Sequence, residues 1–286
     1  MTDRRESRAL TALVFGAIGI AWAPIFVRFA VADGVGPSAA AFWRLALSVP
    51  VAWLWASRDL RSHTIRERLQ LCLPGVFFAG DLAVWHWSIH WTSVANATLL
   101  ANFAPVLVTL GGWLIFRRRF KRQFLLGMTF ALVGAAVLVG ASTEGQLRGD
   151  LLGLLTAVFY ASYFLSVGWL RERFSTPTIL AHTVTAAAIL LAPIAYFSGE
   201  PLFGYSMAGW LDVIGLAVVS QIIGQGFVIY ALAHLPAHFS AVTLLLQPAI
   251  AALLAWWLFH ESPAPQQAIG GVVMLVGIVL ARRGSR

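Results

Sequence analysis

Two matched apolar segments, PVLVTLGGWLIF at residues 105–116 and PAIAALLAWWLF at residues 248–259, carry the strongest structural signal in this 286-residue chain. Neither segment contains a charged residue, and each ends a longer apolar run, at 93–116 and at 237–259. A helix that crosses a bilayer needs about 20 such residues, and every backbone polar group in hydrocarbon must be hydrogen-bonded within the protein. Both runs therefore predict membrane-spanning α-helices.

The composition extends this prediction to the whole chain. Hydrophobic residues make up 59% of the sequence and charged residues only 11%, with a mean hydropathy of +0.79. Soluble domains carry about 25% charged residues, and disordered chains are poor in apolar residues, so both classes are excluded. Barrel strands would alternate in polarity, which these runs do not. We predict an all-α membrane protein with ten spans, at 9–31, 37–56, 69–89, 93–116, 123–142, 149–170, 177–197, 208–230, 237–259 and 265–281.

The positive charges predict an orientation. If the N-terminus is cytoplasmic and the spans alternate, 17 of the 20 Lys and Arg residues fall in cytoplasmic segments, with Arg148 outside and Arg28 and Arg44 within spans. Cytoplasmic loops are enriched in Lys and Arg, so we expect both termini in the cytoplasm. We attribute the net charge of +8 to these loops, which lie beside the lipid bilayer. We expect the bilayer, and no nucleic acid, as a partner. A single cysteine, Cys72, permits no internal disulfide.

The two halves of the sequence share one register at an offset of 143 residues. We therefore predict two repeats, 9–142 and 149–281. Because each repeat holds five spans, an odd number, the second must enter the membrane from the opposite side. Inverted repeats of this kind build the alternating gates of secondary transporters. The matched pairs are Pro105 and Pro248, Trp113 and Trp256, Phe116 and Phe259, Gln123 and Gln266, Gly127 and Gly270, and Gly134 and Gly277.

Several of these segments resemble a known family. The stretch from Trp87 to Pro105, WSIHWTSVANATLLANFAP, is similar to the signature of the drug/metabolite transporter superfamily in its ten-helix EamA-type branch. The second-half run Leu246-Gln247-Pro248, the glycine-spaced fifth and tenth spans, the segment IAWAPIF at residues 20–26 and Arg44 also match. Within the branch, the chain looks most similar to bacterial exporters of aromatic amino acids.

The resemblance implies efflux of small metabolites across the bacterial inner membrane. It implies two inverted five-helix repeats around a central cavity, no enzyme activity and no cofactor. Ten spans can enclose a path within one chain, so a monomer suffices. The motifs of the branch identify the scaffold well and the substrate poorly.

Asp81 lies near the middle of the third predicted span, where a carboxylate costs about 2.5–3.5 kcal/mol. Helical spacing places Asp81, Trp85 and Ser88 on one face, which suits a cavity wall. Asp81 either contacts a substrate ammonium group or carries a coupled proton, or it is a structural partner of Arg44 or of a neighbouring amide. His86, beside this stripe, is a protonatable candidate for the cavity.

Arg44 could hold a substrate carboxylate, point outward to the interface, or lock helices together. The second half places Val184 at the equivalent position and lacks the charge, which favours the structural role.

The fourth and ninth spans carry matched polar residues beside Pro105 and Pro248. Each proline frees a carbonyl of the preceding turn, and the neighbouring Asn102 and Gln247 could bind a ligand beside it. Bonding between helices is the alternative. Gln221 and Gln225 in the eighth span share a face and are similar candidates.

Aromatic side chains complete the predicted site. Trp22 in the first span and Tyr160 and Tyr163 in the sixth are candidates for lining a cavity that takes an aromatic amino acid, with plain packing as the alternative. Pro24, Pro105 and Pro248 are candidate hinges.

Other chemistries lack their motifs. His86 and His90 have helical metal-pair spacing but no third ligand, so no metal is expected. A phosphate-binding loop, a nucleophile elbow and a catalytic loop cluster are all missing from the sequence, as are the charged rings of a channel.

The leading hypothesis is a secondary transporter that exports amino acids, aromatic ones included, by alternating access. Its energy comes either from the substrate gradient or from protons. The competing hypothesis keeps the scaffold and changes the cargo to a nucleobase, a vitamin or a cationic drug.

Overall fold

The chain folds into helices throughout the part that the computed structural model describes, namely residues 2–59, 62–92, 94–140, 147–260 and 264–285. The helices are α1 (Thr2–Ala21), α2 (Ala23–Ala32), α3 (Pro37–Ala46), α4 (Ser48–Ala56), α5 (Ile65–Trp91), α6 (Val94–Ala101), α7 (Ala104–Leu114), α8 (Arg122–Val139), α9 (Leu147–Leu170), α10 (Thr176–Phe197), α11 (Met207–Gly215), α12 (Gly226–Ala231), α13 (Ala237–Thr243), α14 (Leu246–Phe259) and α15 (Pro265–Ser285), with a π-helical segment at Leu216–Gln225.

The predicted all-α membrane fold is confirmed. Within the described ranges, nine helical stretches are long and apolar enough to cross a membrane. They coincide with nine of the ten predicted spans. The remaining span, 69–89, falls inside the 27-residue helix α5. Long apolar helices form here because only intrasegment hydrogen bonds can satisfy the backbone in hydrocarbon.

Four of the predicted spans are interrupted rather than continuous. The first breaks at Trp22 between α1 and α2, and the second at Leu47 between α3 and α4. The fourth and ninth break between α6 and α7 and between α13 and α14. In all four, a proline lies within the first three residues of the next helix (Pro24, Pro50, Pro105 and Pro248). The missing N–H and the ring of proline disrupt the preceding turn.

The chain forms two compact units, Met1–Ala83 with Ser166–His234, and Val84–Leu165 with Leu235–Arg286. Each unit therefore draws helices from both halves of the sequence. In the first unit, α10 packs against α3 and α4, and α1 packs against the π-helical segment. In the second unit, α15 packs along α8, and α13 packs against α7. Three pairs of equivalent spans, the second and seventh, the fourth and ninth, and the fifth and tenth, thus lie side by side.

The helices α8 and α15 approach so closely that their glycines meet backbone atoms of the partner helix. A Cβ added to Gly127 would lie 2.2 Å from the Ala281 nitrogen, and one added to Gly134 would lie 2.2 Å from the Met274 nitrogen. Such distances are far below van der Waals contact. Small residues at a membrane helix interface allow this approach, because dispersion between closely packed backbones replaces the hydrophobic effect there.

The contacts are reciprocal at the offset of 143 residues. Gly277, the equivalent of Gly134, meets the nitrogen of Ala131, the equivalent of Met274. Gly270, the equivalent of Gly127, meets the nitrogen of Leu138. Successive contacts run toward the C-terminus of α8 and toward the N-terminus of α15. The two helices are therefore antiparallel. A self-complementary interface of this kind is what a local two-fold relation produces.

Adjacent glycines on α15 allow a matched test of this interface. A Cβ added to Gly270 would meet the Leu138 nitrogen at 2.5 Å, whereas one added to Gly271 would meet only the Leu138 Cδ1 at 3.8 Å. We expect Gly270→Ala to cost about 1–3 kcal/mol through overpacking and to lower the thermal midpoint in detergent by at least about 3 °C. Gly271→Ala should leave it unchanged or raise it, because alanine is the better helix former. Equal effects of the two substitutions would contradict the packing described.

Candidate functional site

The fourth and ninth spans are broken at matched positions, and both breaks lie in the second compact unit. The first break covers Asn102 and Phe103, and the second covers Leu244 and Leu245. At the offset of 143 residues the two breaks differ by a single position. Tight turns bridge both: the N–H of Phe103 donates to the Leu100 carbonyl at 3.1 Å, and that of Leu245 donates to the Val242 carbonyl at 3.2 Å.

Proline explains why the breaks occur where they do. Pro105 and Pro248 lie at the start of α7 and α14. Neither can donate to the carbonyl four residues earlier, which belongs to Ala101 in the first break and to Leu244 in the second. The N–H of Gln247 reaches the Leu244 carbonyl instead, at 3.0 Å. The first break therefore leaves the Ala101 carbonyl without its helical donor, and both breaks begin a new half-helix, as in the discontinuous helices of transporters.

The side-chain nitrogens of the two amides predicted at these breaks have no hydrogen-bond partner among the described residues. The Nδ2 of Asn102 and the Nε2 of Gln247 are both buried and bond to nothing in the described part of the chain. An unsatisfied buried donor costs about 1–3 kcal/mol, so a ligand acceptor would be stabilised at either position. The alternative role for both residues is hydrogen bonding between helices. It requires partners for these two nitrogens, and the described residues supply none. Their role in substrate binding remains a prediction.

Neighbouring hydroxyl groups are mostly used within the protein. Thr109 donates to the Pro105 carbonyl at 2.7 Å, and Thr243 donates to the Phe239 carbonyl at 2.9 Å. Ser88 donates to the Gly149 carbonyl at 2.8 Å and is fully buried, so it ties α5 to the start of α9. Ser240 is also fully buried, but its Oγ has no partner within the described ranges.

The tyrosines of α9 stack on each other in the same unit. The ring centroids of Tyr160 and Tyr163 lie 6.1 Å apart with an interplanar angle of 17°, and Phe164 meets Tyr160 edge-on at 5.1 Å. Tyr163 is buried, whereas Tyr160 is partly exposed. The partial exposure of Tyr160 is compatible with the predicted cavity lining. Tyr163 has the surroundings of a packed core residue.

Trp85 on α5 is partly exposed within this unit. The side chains of His86 and His90 lie outside the described residues, so the predictions for them stand as expectations. Within the described ranges, no cluster of His, Cys, Asp and Glu could hold a metal ion.

In the first unit, Arg44 forms a buried cross-link to the eighth span. Its Nε donates to Oε1 of Gln221 at 2.8 Å, and both side chains are buried. Ser48, one turn later, donates to the Arg44 carbonyl at 2.6 Å and reaches the Ala217 carbonyl at 3.3 Å. Two residues of the second span thus bond to the π-helical segment. The helix-locking role of Arg44 remains a prediction, and Oε1 of Gln221 already accepts a hydrogen bond from Arg44.

Asp81 lies within electrostatic reach of the Arg44 guanidinium. Arg44 also lies over the Phe78 ring, 5.7 Å from its centroid. Pairing between opposite charges is the usual way to keep ionisable groups inside a membrane. Arg44 is therefore available as the structural partner of Asp81. The roles of Asp81 in binding a substrate or carrying a proton remain predictions.

The π-helical segment at Leu216–Gln225 is the main feature that sequence reasoning missed. Gln221 and Gln225 are both on it and both nearly fully buried. Helices with i→i+5 bonding are rare and often mark functional sites. The one signal in the sequence was the density of glycines: Gly224 lies so close to α1 that an added Cβ would be 2.9 Å from Ile20 Cγ1.

The first span places Trp22 and Pro24 at its break. Trp22 precedes α2, Pro24 lies in the first turn of that helix, and the Trp22 carbonyl accepts the Phe26 N–H at 3.0 Å. The ring centroids of Trp22 and Phe26 are 5.7 Å apart. Trp22 therefore has an aromatic neighbour one turn away, and the predicted hinge falls at an actual interruption.

Comparison with known proteins places the chain among transporters. An "Uncharacterized transporter" of Archaeoglobus fulgidus is 24% identical, over 94% of this chain and 96% of the relative. A "Probable terminal-alkyne amino-acid exporter" of Streptantibioticus cattleyicolor is 25% identical, over 97% and 94% of the two chains. The "Pseudopaline exporter CntI" of Pseudomonas aeruginosa is 26% identical over 74% of each chain.

A solved crystal structure has the same fold. It superimposes with a TM-score of 0.81 over 98% of this chain and 99% of its own length, at 18% sequence identity. The model of the EamA-like transporter family matches this chain twice, at residues 7–140 and 147–283. These two matches cover nearly the whole sequence, and the chain, a multi-pass membrane protein, belongs to the EamA-like transporter family.

Proposed function

We propose that this transporter exports amino acids, aromatic ones included, from the cytoplasm across the bacterial inner membrane by alternating access. The observation that carries the proposal is the pair of matched helix breaks, each with a buried amide donor that has no partner in the described residues. Discontinuous helices with polar groups at their breaks are where secondary transporters bind substrates and coupling ions.

The chemistry of the breaks suits a zwitterion. The N-termini of α7 and α14 carry partial positive charge, and the Asn102 and Gln247 amides are donors, so each break favours a carboxylate. Because Pro105 has no backbone N–H, the Ala101 carbonyl lacks its helical donor and can accept a hydrogen bond from an ammonium group. An amino acid presents both groups together, unlike a purely cationic drug.

The aromatic part of the proposal depends on α9. That helix packs against α6 next to the first break: a Cβ added to Gly153 would lie 3.0 Å from the Leu100 Cβ. It also carries the Tyr160 ring, which is partly exposed and backed by Tyr163. An aromatic face beside a polar break would bind an apolar or aromatic side chain.

The inverted repeat is supported by two independent observations. The family model matches the chain twice, at 7–140 and 147–283, ranges close to the repeats proposed from the sequence. Equivalent helices α8 and α15 are antiparallel, with reciprocal contacts at the same offset of 143 residues. An inverted pair of gates would then alternate access to the two breaks.

The competing proposal is another small metabolite on the same scaffold. Relatives of similar identity are named for an amino acid and for pseudopaline, so the names do not select one cargo. Export driven by the substrate gradient or by protons is compatible with either. We propose cytoplasmic termini because of the loop charges, and a monomer because ten spans suffice for a path.

Flux measurements test the proposed site. In liposomes with the purified protein, we expect labelled phenylalanine, tryptophan or threonine to cross faster than in empty vesicles. Asn102→Ala and Gln247→Ala should each reduce the flux by about tenfold or more, because a hydrogen bond to a charged group contributes about 1.5–3 kcal/mol.

Gln266→Ala is the matched control, because this amide lies exposed on α15 and should be neutral. Wild-type flux from both break variants would refute the site. No flux of any of the three amino acids with the wild type would refute the substrate class.

Substitutions at Gln221 test whether Arg44 is a lock or a ligand for substrate. Gln221→Leu removes the acceptor of the Arg44 Nε and should cost about 1.5–3 kcal/mol of stability, measured as a lower thermal midpoint in detergent. Gln221→Glu retains an acceptor and should keep the midpoint near the wild type, with an unchanged KM for export. A large rise in KM at unchanged midpoint, in either variant, would instead assign Arg44 and Gln221 to substrate binding.

A further inference from the structure

A lateral groove of about 520 Å³ opens in the second unit beside α7. Its volume falls within the range of about 300–1,000 Å³ for small-molecule sites. We call it the α7–α8 groove. Its walls come from α7, from the loop after it and from the first two turns of α8: Val106, Thr109, Leu110, Trp113, Arg119, Phe120, Leu125 and Met128. None of these residues is among those proposed to bind the transported amino acid.

The groove is apolar inside and charged at its edge. The hydroxyl of Thr109 is used by the Pro105 carbonyl at 2.7 Å, with the Met128 sulfur at 3.5 Å, so it offers little to a polar ligand. Trp113 is 56% exposed and Leu110 44% exposed, which leaves the groove open to lipid. The one charged side chain of its lining is Arg119.

The loop that carries Arg119 has a defined shape. Arg117 adopts a left-handed conformation with φ 51°, and the Arg118 N–H donates to the Gly112 carbonyl at 3.0 Å. This bond satisfies one of the carbonyls that the end of α7 leaves without a helical donor. Phe120 then folds back onto α7, where a Cβ added to Gly112 would lie 3.1 Å from its ring. Arg119 therefore lies between two contacts with α7, the Arg118–Gly112 hydrogen bond and the Phe120 ring.

His238 extends the anchoring of Phe120. Its ring meets Phe120 edge-on at 4.8 Å and Phe124 at 4.7 Å. The floor beside Arg119 is therefore aromatic and packed.

The positive charge of this loop is not required by its backbone. Residues 117–122 contain five basic side chains: Arg117, Arg118, Arg119, Lys121 and Arg122. The equivalent helix end in the second half has the same left-handed residue, His260 with φ 55°, followed by ESPAP at 261–265 without a Lys or Arg. Within the described residues, no carboxylate forms an ion pair with Arg119.

We propose that the α7–α8 groove binds an anionic phospholipid, with an acyl chain along Val106, Leu110 and Leu125 and the phosphate on Arg119. A phosphate matches the guanidinium geometry, and basic pockets at the cytoplasmic side of membrane helices, where the loop charges place this loop, bind anionic headgroups. The apolar walls take a chain that a soluble phosphate does not have. This site is independent of the amino acid proposed as cargo.

Native mass spectrometry of the purified full chain in detergent tests the proposal. The probes are phosphatidylglycerol and phosphatidylcholine with identical acyl chains. We expect the wild type to retain phosphatidylglycerol at least about fivefold more strongly. Arg119→Gln should abolish this preference and Arg119→Lys should keep part of it, whereas Arg122→Gln, which removes a like charge nearby at the start of α8, should keep it. Leu125→Trp, at a position 39% exposed, should fill the groove and weaken retention of both lipids.

Three results would overturn the proposal. Equal retention of the two lipids would show that Arg119 does not bind the anionic headgroup. Equal losses in Arg119→Gln and Arg122→Gln would assign the effect to the general charge of the loop. Displacement of the lipid by soluble glycerol phosphate would assign the site to free phosphate. Circular dichroism and the thermal midpoint confirm that each variant is folded.

Discussion

Backbone hydrogen bonding in hydrocarbon is the constraint on which the whole structure depends. It explains why about ten apolar runs become helices, because no water is available to satisfy a peptide group there. It also makes an interruption informative. A break between α6 and α7, repeated between α13 and α14, leaves polar groups where they are costly, and the protein retains two of them at equivalent places. We therefore interpret the breaks as the chemical centre of transport.

Close packing at α8 and α15 complements these polar breaks. Their glycines bring two backbones together without side chains between them, whereas the broken helices of the same unit carry the polar groups. The alternating access that we propose is largely rigid-body rocking around a fixed site, and a close helix pair beside interrupted helices is compatible with it. In the first unit, the buried bond from Arg44 Nε to Gln221 Oε1 joins the second and eighth spans through a charged group.

Sequence patterns predicted the helical class, the span positions and the register of the two halves, because apolar length and the positions of Pro and Gly determine them directly. They also indicated Asn102 and Gln247, because an amide beside a proline within a span is costly unless it binds a partner. They could not predict the π-helical segment around Gln221, which packs against α1, because apolar length and glycine positions are the same for α-helical and π-helical bonding. Nor could they reveal that Oε1 of Gln221 is bonded to Arg44, a contact between residues 177 positions apart.

Water access to the two breaks decides whether a polar substrate can bind there. Single cysteines at positions 102 and 247, introduced as Asn102→Cys and Gln247→Cys with Cys72→Ser, are treated with a membrane-impermeant thiol reagent in proteoliposomes. We expect the reagent to label both positions and a transported amino acid to slow the labelling. Failure to label either cysteine, while a cysteine at exposed Gln266 is labelled, would show that the breaks are dry and would contradict the transport site.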